Sequence, residues 1–281
     1  MASSDVLAIE RLGRDDVAGG LALSDAAGWN QSADDWSFFI ALGAFGVRDD
    51  SGRLIATAAA LPYDAAIGWI SMVLVDAAHR HRGIASQLVD ACVASLRDAG
   101  RTPVLDATPA GAAVYAKIGF VAGFSFERWE GAGPAPTEAT ASFGPAVEPS
   151  QGETLIDLDR RAGGVDRTPL LRSFLARSAT RAWLARGADG FAMRRAGRRA
   201  TQVGPIVGAD DAAALDLLGS ALGGVAGRVF IDVPDQRTSL ADALARRGFV
   251  RQRPFVRMAL GDARAAAARE RVFALAGPEF G

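Results

Sequence analysis

The sequence predicts an α/β protein in which one α+β fold occurs twice in tandem. Its 281 residues fit two domains of ordinary size. Short runs of β-branched and aliphatic residues alternate with segments whose apolar residues recur at helical spacing. In addition, VLDATPAGAAVYAKIGFVAGFSFERWE in the first half has a counterpart in the second, VFIDVPDQRTSLADALARRGFVRQRPFVRMAL. Two unrelated strand–helix–strand units would be the simpler explanation, but the shared order extends upstream and favours a duplication.

Equivalent positions in the two halves define this repeat. The Gly-Phe-Val turns and two arginines are separated by 129 residues, whereas two aspartates are separated by 126. One small insertion therefore lies between these anchors. The pairs are residues 119–121 with 248–250, Arg128 with Arg257, and Asp106 with Asp232.

A connection between the two domains is predicted at residues 131–152. This stretch concentrates Gly, Pro, Ser and Thr and has no sustained apolar period. We therefore expect a first domain at residues 1–133 and a second at residues 134–281.

Composition limits the class of protein. Hydrophobic residues make up 49% and charged residues 22% of the chain, and the net charge is -1, which gives no reason to expect a nucleic acid or a membrane as partner. No signal-peptide pattern is present, and no stretch approaches the roughly 18 apolar residues of a membrane span, so we expect a cytoplasmic protein. Cys92 is the only cysteine, which excludes an intrachain disulfide and a cysteine-based zinc cluster, and we expect no metal cofactor.

Hydrophobic periodicity predicts the elements of the first half. Thr108 suits an N-cap, Pro109 suits the first helical position, and Gly100 suits the end of a helix. Helices are expected at residues 15–27, 34–42, from the glycine loop to Asp98 and from Pro109 onward, and strands at 6–12, 44–48, 54–61, 68–75, 103–107 and 121–129.

The stretch VLVDAAHRHRGIASQLVDACV, residues 73–93, joins a strand to a helix through a basic glycine turn. A helix entered in this way leaves backbone N–H groups unpaired in its first turn, and the helix dipole adds positive charge, so the turn can hold phosphate. Gly83 and the small Ala85 let a ligand approach the backbone, and arginines add charge-assisted contacts. The pattern alone is weak, because an ordinary capped helix with a basic first turn looks the same.

A second signature downstream makes the stretch more specific. The sequence Arg80-His81-Arg82-Gly83-Ile84-Ala85 fits the pattern R/Q-x-x-G-x-G/A, and about 30 residues further on Tyr115 is followed four positions later by Gly119-Phe120. In this order the two signatures resemble those of the GNAT superfamily of N-acetyltransferases. The resemblance covers residues 5 to about 130 and implies a mostly antiparallel central sheet with flanking helices.

The resemblance implies a set of cofactor-binding residues. The strand would pair with the pantetheine arm of acetyl-CoA like an added strand, and the loop and first helical turn would hold the pyrophosphate. The Val75 N–H would stabilise the oxyanion, and Tyr115 would protonate the leaving thiolate, with a buried core tyrosine as the alternative. Thr108 stands where the family often has Asn, so its ligand contact stays open. The set is Val73, Leu74, Val75, Arg80, His81, Arg82, Gly83, Ile84, Ala85, Ser86 and Thr108.

A general base is also needed, because the acceptor amine is mostly ammonium at neutral pH. Asp106, Asp76 and the Asp34-Asp35 pair are candidates, and spacing does not choose between them. Asp106 is preferred because a carboxylate inside an apolar strand is costly without a partner. Because the second half has a counterpart, Asp232, a structural role for Asp106 is at least as tenable as catalysis. For Asp76 the alternative is a turn residue, and for the Asp34-Asp35 pair it is a helix cap.

The acceptor is expected to contact WNQSADDW, residues 29–36, since GNAT enzymes use this helical region for it. Core packing is the alternative for the aromatic residues. The predicted acceptor-binding residues are Trp29, Asn30, Asp35 and Trp36.

The second half lacks the basic glycine loop of the first signature and the tyrosine of the second. Aligning TQVGPIVGADDAAALDLLGSAL with residues 73–93 places Val207 opposite Val75 and leaves out five residues, those of the basic loop. Tyr115 corresponds to Leu244, which cannot donate a proton. The chain therefore resembles bacterial tandem GNAT proteins with a degenerate carboxy-terminal domain, which would shape the acceptor pocket or a subunit interface.

These features predict an N-acetyltransferase that moves an acetyl group from acetyl-CoA to an amine by direct attack in a ternary complex. The expected partner is a small-molecule amine or a peptide, and a homodimer is a further expectation. The alternatives are a transferase for a longer acyl-CoA, a non-catalytic acyl-CoA sensor and another duplicated α/β fold such as a glyoxalase-like one. The retained Tyr115 argues against the sensor, because binding alone needs no proton donor.

Overall fold

The computed structural model of the protein describes residues 8–133 and 151–281. The chain forms two compact units, Met1–Pro103 and Val104–Gly281. Their boundary lies inside the first sequence repeat, because the last strand of that repeat pairs with strands of the second. Most of the predicted linker lies outside the described residues, so a domain boundary after residue 133 stays a prediction.

The described part of the first unit contains an antiparallel sheet with the strand order β1-β2-β3-β4 and flanking helices. The predicted helices and strands of this region are confirmed, with ends that shift by a few residues. Of the strand predicted at residues 6–12, residues 6 and 7 lie outside the described residues, and Glu10–Arg11 form a strand. The elements are β1 (Glu10–Arg11), α1 (Val17–Ala26), α2 (Ala33–Gly43), β2 (Ala44–Arg48), β3 (Leu54–Pro62), β4 (Ile67–Val75) and α3 (Ile84–Asp98).

Local sequence explains how these helices begin and end. At the start of α2, the Ser32 hydroxyl accepts the Asp35 N–H at 3.2 Å and the Asp35 carboxylate accepts the Ser32 N–H at 2.8 Å, which is a capping box. After α3, Gly100 takes a left-handed φ of 73° and leads into the next strand. The buried face of α3 consists of Ile84, Leu88, Val89, Cys92 and Leu96. Burial raises the pKa of the Cys92 thiol to about 12, which fits a core thiol rather than a nucleophile.

The described part of the second unit begins within β5 and contains the remaining elements. Its strands are β5 (Thr102–Ala107), β6 (Val121–Ala132), β7 (Arg181–Leu184), β8 (Phe191–Arg195), β9 (Thr201–Val207), β10 (Arg228–Pro234), β11 (Val250–Ala259) and β12 (Val272–Ala274). Its helices are α4 (Pro109–Lys117), α5 (Gly152–Gly163), α6 (Thr168–Leu175), α7 (Asp211–Leu222) and α8 (Thr238–Arg246).

The strand order in the second unit shows that the two repeats exchange their last strands. The order is β5-β11-β6-β10-β9-β8-β7, with β12 beside β9. Although β6 follows β5 in the chain, β11 of the second repeat lies between them and pairs with both. In turn, β6 of the first repeat lies between β11 and β10. Each repeat is therefore completed by a strand from the other.

The two faces of this sheet differ in polarity. Along β10, Val229, Ile231 and Val233 join the apolar core that includes side chains of α7 and α8. Because side chains alternate along a strand, Phe230 and Asp232 lie on the opposite face. Both are buried, so that opposite face contains enclosed charge that must be paired.

Candidate active site

Strand β4 has a bulge in the segment predicted to bind the cofactor. The pairing shifts between Ala59 with Ser71 and Thr57 with Leu74, so β4 has one residue more than β3 there. Met72 adopts a left-handed φ of 52°, and the buried Thr57 hydroxyl donates to its carbonyl at 2.9 Å. The bulge bends β4 immediately before the predicted pantetheine-binding residues.

Asp76 fixes the turn that follows β4. Its carboxylate accepts the Ala78 N–H at 3.0 Å and an Arg53 guanidinium N–H at 3.0 Å, and His79 Nδ1 lies 3.3 Å away. The side-chain hydrogen bond from Arg53 lowers the pKa of Asp76 most, and the one with His79 adds to it, so that this pKa falls to about 2. A carboxylate held so strongly in its ionised form is a weak proton acceptor, so the geometry favours the turn role over the base role.

The basic loop contains two left-handed residues, His81 at φ 62° and Gly83 at φ 76°. Arg80 Nε donates to the Val75 carbonyl at 3.2 Å, which joins the loop to the end of β4. A Cβ on Gly83 would meet no atom within 4 Å, so the backbone conformation rather than crowding selects glycine there. His81, Arg82 and Gly83 are exposed, and their main chain is open to a ligand.

Helix α3 begins without a side-chain cap. Its N-cap is Gly83, and the Gln87 N–H donates to the Gly83 carbonyl at 3.1 Å. The N–H groups of residues 84–86 precede that bond and belong to the unpaired first turn. The first turn has no acidic residue, and the helix dipole adds positive charge. Loop and helix therefore bring the predicted residues from Arg80 to Ser86 into an arrangement that can hold a phosphate.

Helix α4 presents Tyr115 after a threonine cap. The Thr108 hydroxyl accepts the Gly111 N–H at 3.3 Å and Pro109 lies in the first turn, both as predicted. Tyr115 is half-buried on a helix without a buried residue, and its ring centroid lies 5.8 Å from that of Phe120. Partial exposure favours the predicted acid role over the core alternative, and that role stays a prediction.

Asp106 is enclosed in a structural ion pair. Arg257 donates to both of its carboxylate oxygens at 2.9 Å, and the Asp106 side chain is 0% exposed. Burial raises the pKa of Asp106, and Arg257 opposes that rise. Its counterpart Asp232 accepts two bonds from Arg128 at 2.8 Å and one from Gln202 at 2.9 Å. Each repeat thus supplies an aspartate that the arginine of the other repeat pairs, which favours the structural alternative, and the base role of Asp106 stays a prediction.

The predicted acceptor residues differ in how open they are. Asp35 is 2% exposed and forms the capping box of α2, and Trp36 is 0% exposed and donates to the Ser24 hydroxyl at 3.0 Å. These contacts favour the cap and core alternatives for the two residues. Trp29 is half-buried and Asn30 is 7% exposed. Acceptor binding by all four stays a prediction, better supported for Trp29 because this residue is only half-buried.

Two polar residues of the apolar strands were not singled out by the sequence. Thr57 holds the bulge of β4 through Met72. Ser71 is 7% exposed, and its hydroxyl has no hydrogen-bond partner among the described residues. The sequence could have indicated both residues, because each of the apolar runs LIATAAALP and IGWISMVLV contains one hydroxyl residue, and a buried hydroxyl needs a hydrogen-bond partner.

In the second repeat, the chain itself pairs with the carboxyl end of β9, beyond the residues of β9 that pair with β10. Strand β12 pairs with β9 at Ile206 and Val207, and the Leu275 N–H donates to the Asp232 carbonyl of β10 at 2.8 Å. The alignment of Val207 with Val75 makes this the position of Leu74 and Val75 in β4. An added strand from the chain's own carboxy-terminal segment therefore lies where the first repeat is predicted to bind pantetheine.

Helix α7 of the second repeat also differs from α3. Its N-cap is Asp210, whose carboxylate accepts the Ala213 N–H at 2.9 Å. Leu244, at the position of Tyr115, is fully buried. A carboxylate at the helix start repels phosphate, and a buried leucine cannot transfer a proton.

The chain belongs to the GNAT superfamily of acetyltransferases. Residues 21–120 match the Acetyltransferase (GNAT) family, and residues 155–274 match the Acetyltransferase (GNAT) domain. One such match falls on each sequence repeat. The protein is therefore a tandem GNAT acyltransferase, as the resemblance in its sequence implied.

Particular relatives agree with this family. The "Uncharacterized N-acetyltransferase YitH" of Bacillus subtilis (strain 168) is 26% identical over 255 residues, which are 85% of this chain and 86% of the relative. A putative acetyltransferase from Pyrococcus horikoshii is 19% identical with a TM-score of 0.83, covering 99% of this chain and 96% of that one. A tandem GNAT protein from the clavulanic acid biosynthesis pathway is 16% identical with a TM-score of 0.65, covering 90% and 98%. These solved structures share the fold.

Metal sites and membrane spans were sought in residues 8–133 and 151–281. Within these ranges no helix is long and apolar enough to cross a membrane. No group of three or more His, Cys, Asp or Glu residues there could hold a metal ion. The absence of a metal cofactor from the reaction stays a prediction.

Proposed function

We propose that the protein transfers an acetyl group from acetyl-CoA to an amine by direct attack in a ternary complex. The observation that carries this is the uncapped first turn of α3, which follows an exposed loop with left-handed His81 and Gly83. Such a turn suits the pyrophosphate of a CoA thioester. The backbone of Val73, Leu74 and Val75 pairs with the pantetheine arm, as the family resemblance implies.

In the reaction, the amine nitrogen attacks the thioester carbonyl and the carbon–sulfur bond of the tetrahedral intermediate then breaks. The Val75 N–H stabilises the oxyanion, and the Tyr115 hydroxyl gives its proton to the leaving thiolate. The proton of the ammonium passes to a carboxylate or to water. Trp29 and Asn30 contribute to the acceptor site, and Asp106 is the carboxylate that the sequence favours as base.

The proposal is tested by measuring free CoA released from acetyl-CoA across a panel of amines, with mass spectrometry of the products. We expect release that depends on the amine and gives the N-acetylated product. Tight binding of acetyl-CoA without release for any amine would instead support the sensor alternative. A longer donor is tested by comparing kcat/KM for acetyl-, butyryl- and octanoyl-CoA, and we expect the highest value with acetyl-CoA.

A further inference from the structure

Arg253 on β11 has no ion-pair partner within residues 8–133 and 151–281. It is half-buried, and its Nε atom is enclosed without a hydrogen-bond partner among the described residues. Its two Nη atoms make no hydrogen bond there either, and they are not enclosed. The guanidinium lies on the Phe255 ring, with Cζ 5.0 Å from the centroid. A guanidinium that packs on an aromatic ring and has no hydrogen-bond acceptor can bind an anion through charge-assisted hydrogen bonds.

The strand opposite makes this position more positive. Arg253 faces Arg128 directly in the pairing of β11 with β6, and like charges directly opposite each other are destabilising. Arg128 is matched by both oxygens of Asp232. In the part of the chain that the structure describes, no carboxylate pairs with Arg253 in this way, so the two arginines there share one carboxylate.

The two acidic groups that act on Arg253, Asp232 and Glu279, each accept a hydrogen bond from another residue. Glu279 accepts a bond from Arg195 at 3.0 Å, and Asp232 accepts from Arg128 and Gln202. Burial and the Arg128 guanidinium lower the pKa of Arg253, while Asp232 and Glu279 oppose this effect. The negative charge of a bound anion would oppose this lowering, because it stabilises the charged guanidinium.

The repeat shows that packing does not require an arginine at this position. By the offset of 129 residues, the counterpart of Arg253 is Phe124. The Phe124 ring lies under Arg257, with Cζ 4.9 Å from the centroid. An aromatic ring therefore fills the equivalent position in the first repeat. Packing at this position does not need the positive charge that Arg253 brings in the second repeat.

The position of Arg253 relates it to the predicted chemistry. In the pairing of β11 with β5, Val256 lies opposite Ala107, the last residue of β5. Arg253 therefore lies beyond the carboxyl end of β5, where Thr108 begins α4. We infer that Arg253 binds a carboxylate of the amine acceptor, so that the substrates are amines that also bear a carboxylate, such as amino acids. This inference rests on the proposed function for the identity of the acceptor as an amine.

Direct binding tests the site without turnover. The probe is butyrate, with isosteric neutral butyramide for comparison, titrated calorimetrically into the full-length protein and its Arg253→Phe variant. We expect the protein to bind butyrate more tightly than butyramide and Arg253→Phe to weaken butyrate by about tenfold or more, the loss of one charge-assisted contact. Arg251→Gln, at an exposed arginine of the same strand, removes the same charge and should change butyrate affinity by less than about twofold.

Kinetics provide the second arm, with 4-aminobutyrate and n-butylamine as a matched pair of acceptors. Arg253→Phe should raise KM for 4-aminobutyrate about tenfold or more and leave KM for n-butylamine within about twofold, with Arg253→Lys between the variant and the wild type. Equal butyrate binding by the wild type and Arg253→Phe, or equal effects on both acceptors, would overturn the inference. If no amine releases CoA, the proposed function fails, and the butyrate titration still decides whether Arg253 binds a carboxylate.

Discussion

The first turns of α3 and α7 are equivalent in the repeat. They differ in whether a side chain of the protein accepts hydrogen bonds from their backbone N–H groups. Helix α3 starts at a left-handed glycine without a side-chain cap, whereas α7 starts at Asp210, whose carboxylate bonds the Ala213 N–H. Both turns have the same dipole and the same need for acceptors of their first N–H groups. The comparison indicates that the start of α3, which holds no carboxylate of its own chain, suits a phosphate better than the start of α7.

The strands before these helices show the same contrast. In the second repeat, β12 pairs with β9 at Ile206 and Val207. The equivalent residues of β4 are those to which we assign the pantetheine arm. In our proposal, Asp210 lies where the first repeat holds the phosphate and β12 lies where it holds the extended arm, so we expect one acetyl-CoA per chain.

The largest expected effect comes from giving the first repeat the loop of the second. Deleting the five residues His79–Gly83 removes the basic loop that the second repeat lacks. We expect the Kd for acetyl-CoA, measured by calorimetry, to rise at least about 100-fold, because several charge-assisted phosphate contacts are lost.

Controls for this deletion use the same titration. The stoichiometry of the wild type should be one acetyl-CoA per chain, and circular dichroism should show that the deleted protein keeps its folded structure. Retained binding in the folded deletion variant, or two sites in the wild type, would contradict the comparison between the repeats.

The second prediction concerns Tyr115 and its counterpart Leu244. Tyr115→Phe removes the proton donor and keeps the ring against Phe120. We expect kcat to fall about 100-fold or more, while KM for acetyl-CoA changes by less than about threefold, because general acid catalysis acts in the transition state. Val114→Ala, at an exposed residue of the same helix, serves as control. Unchanged turnover in Tyr115→Phe would remove the acid assignment.

Much of the first repeat could be predicted because its signals are local. The apolar periods of β3, β4 and α3 and the cap at Thr108 depend on neighbouring residues, and the structure reproduces them. The repeat alignment also identified Asp106, Asp232, Arg128 and Arg257 as equivalent pairs.

The strand exchange and the role of β12 were not predictable in the same way. Either final strand could pair with β5 by its own apolar pattern, and only the tertiary pairing of Asp106 with Arg257 distinguishes the two arrangements. Strand β12 has three residues, too few to show a hydrophobic period in the sequence. Its position depends on pairing with Ile206 and Val207, at the carboxyl end of β9. The bulge at Met72 is likewise set by a hydroxyl on another strand.

The third prediction compares the two crossed ion pairs. Asp106→Asn leaves the half-buried Arg257, and Asp232→Asn leaves the buried Arg128, without a full charge partner. We expect each to lower the free energy of unfolding by about 3–5 kcal/mol, measured by urea denaturation.

Activity of the same two variants decides the role of Asp106. If Asp106 is structural, as its pairing favours, kcat measured where both variants are folded should fall by similar factors. A base role predicts a much larger loss in Asp106→Asn alone, together with loss of the acidic limb of the pH profile of kcat/KM. If both variants had the same free energy of unfolding as the wild type, the two ion pairs would not stabilise the exchanged strands.

The smallest expected effect tests whether β12 fills the edge of β9 tightly. Gly204 of β9 has a φ of 141°, and a Cβ there would lie 2.0 Å from the Leu275 carbonyl oxygen. Gly204→Ala should therefore lower the free energy of unfolding by about 1–3 kcal/mol, as crowding displaces the segment after β12. Gly163→Ala at the end of α5, where a Cβ meets nothing within 4 Å, should be close to neutral. Because the second repeat binds no acetyl-CoA in our proposal, Gly204→Ala should leave the Kd for acetyl-CoA unchanged, and a weakened Kd would assign the edge of β9 to the cofactor after all.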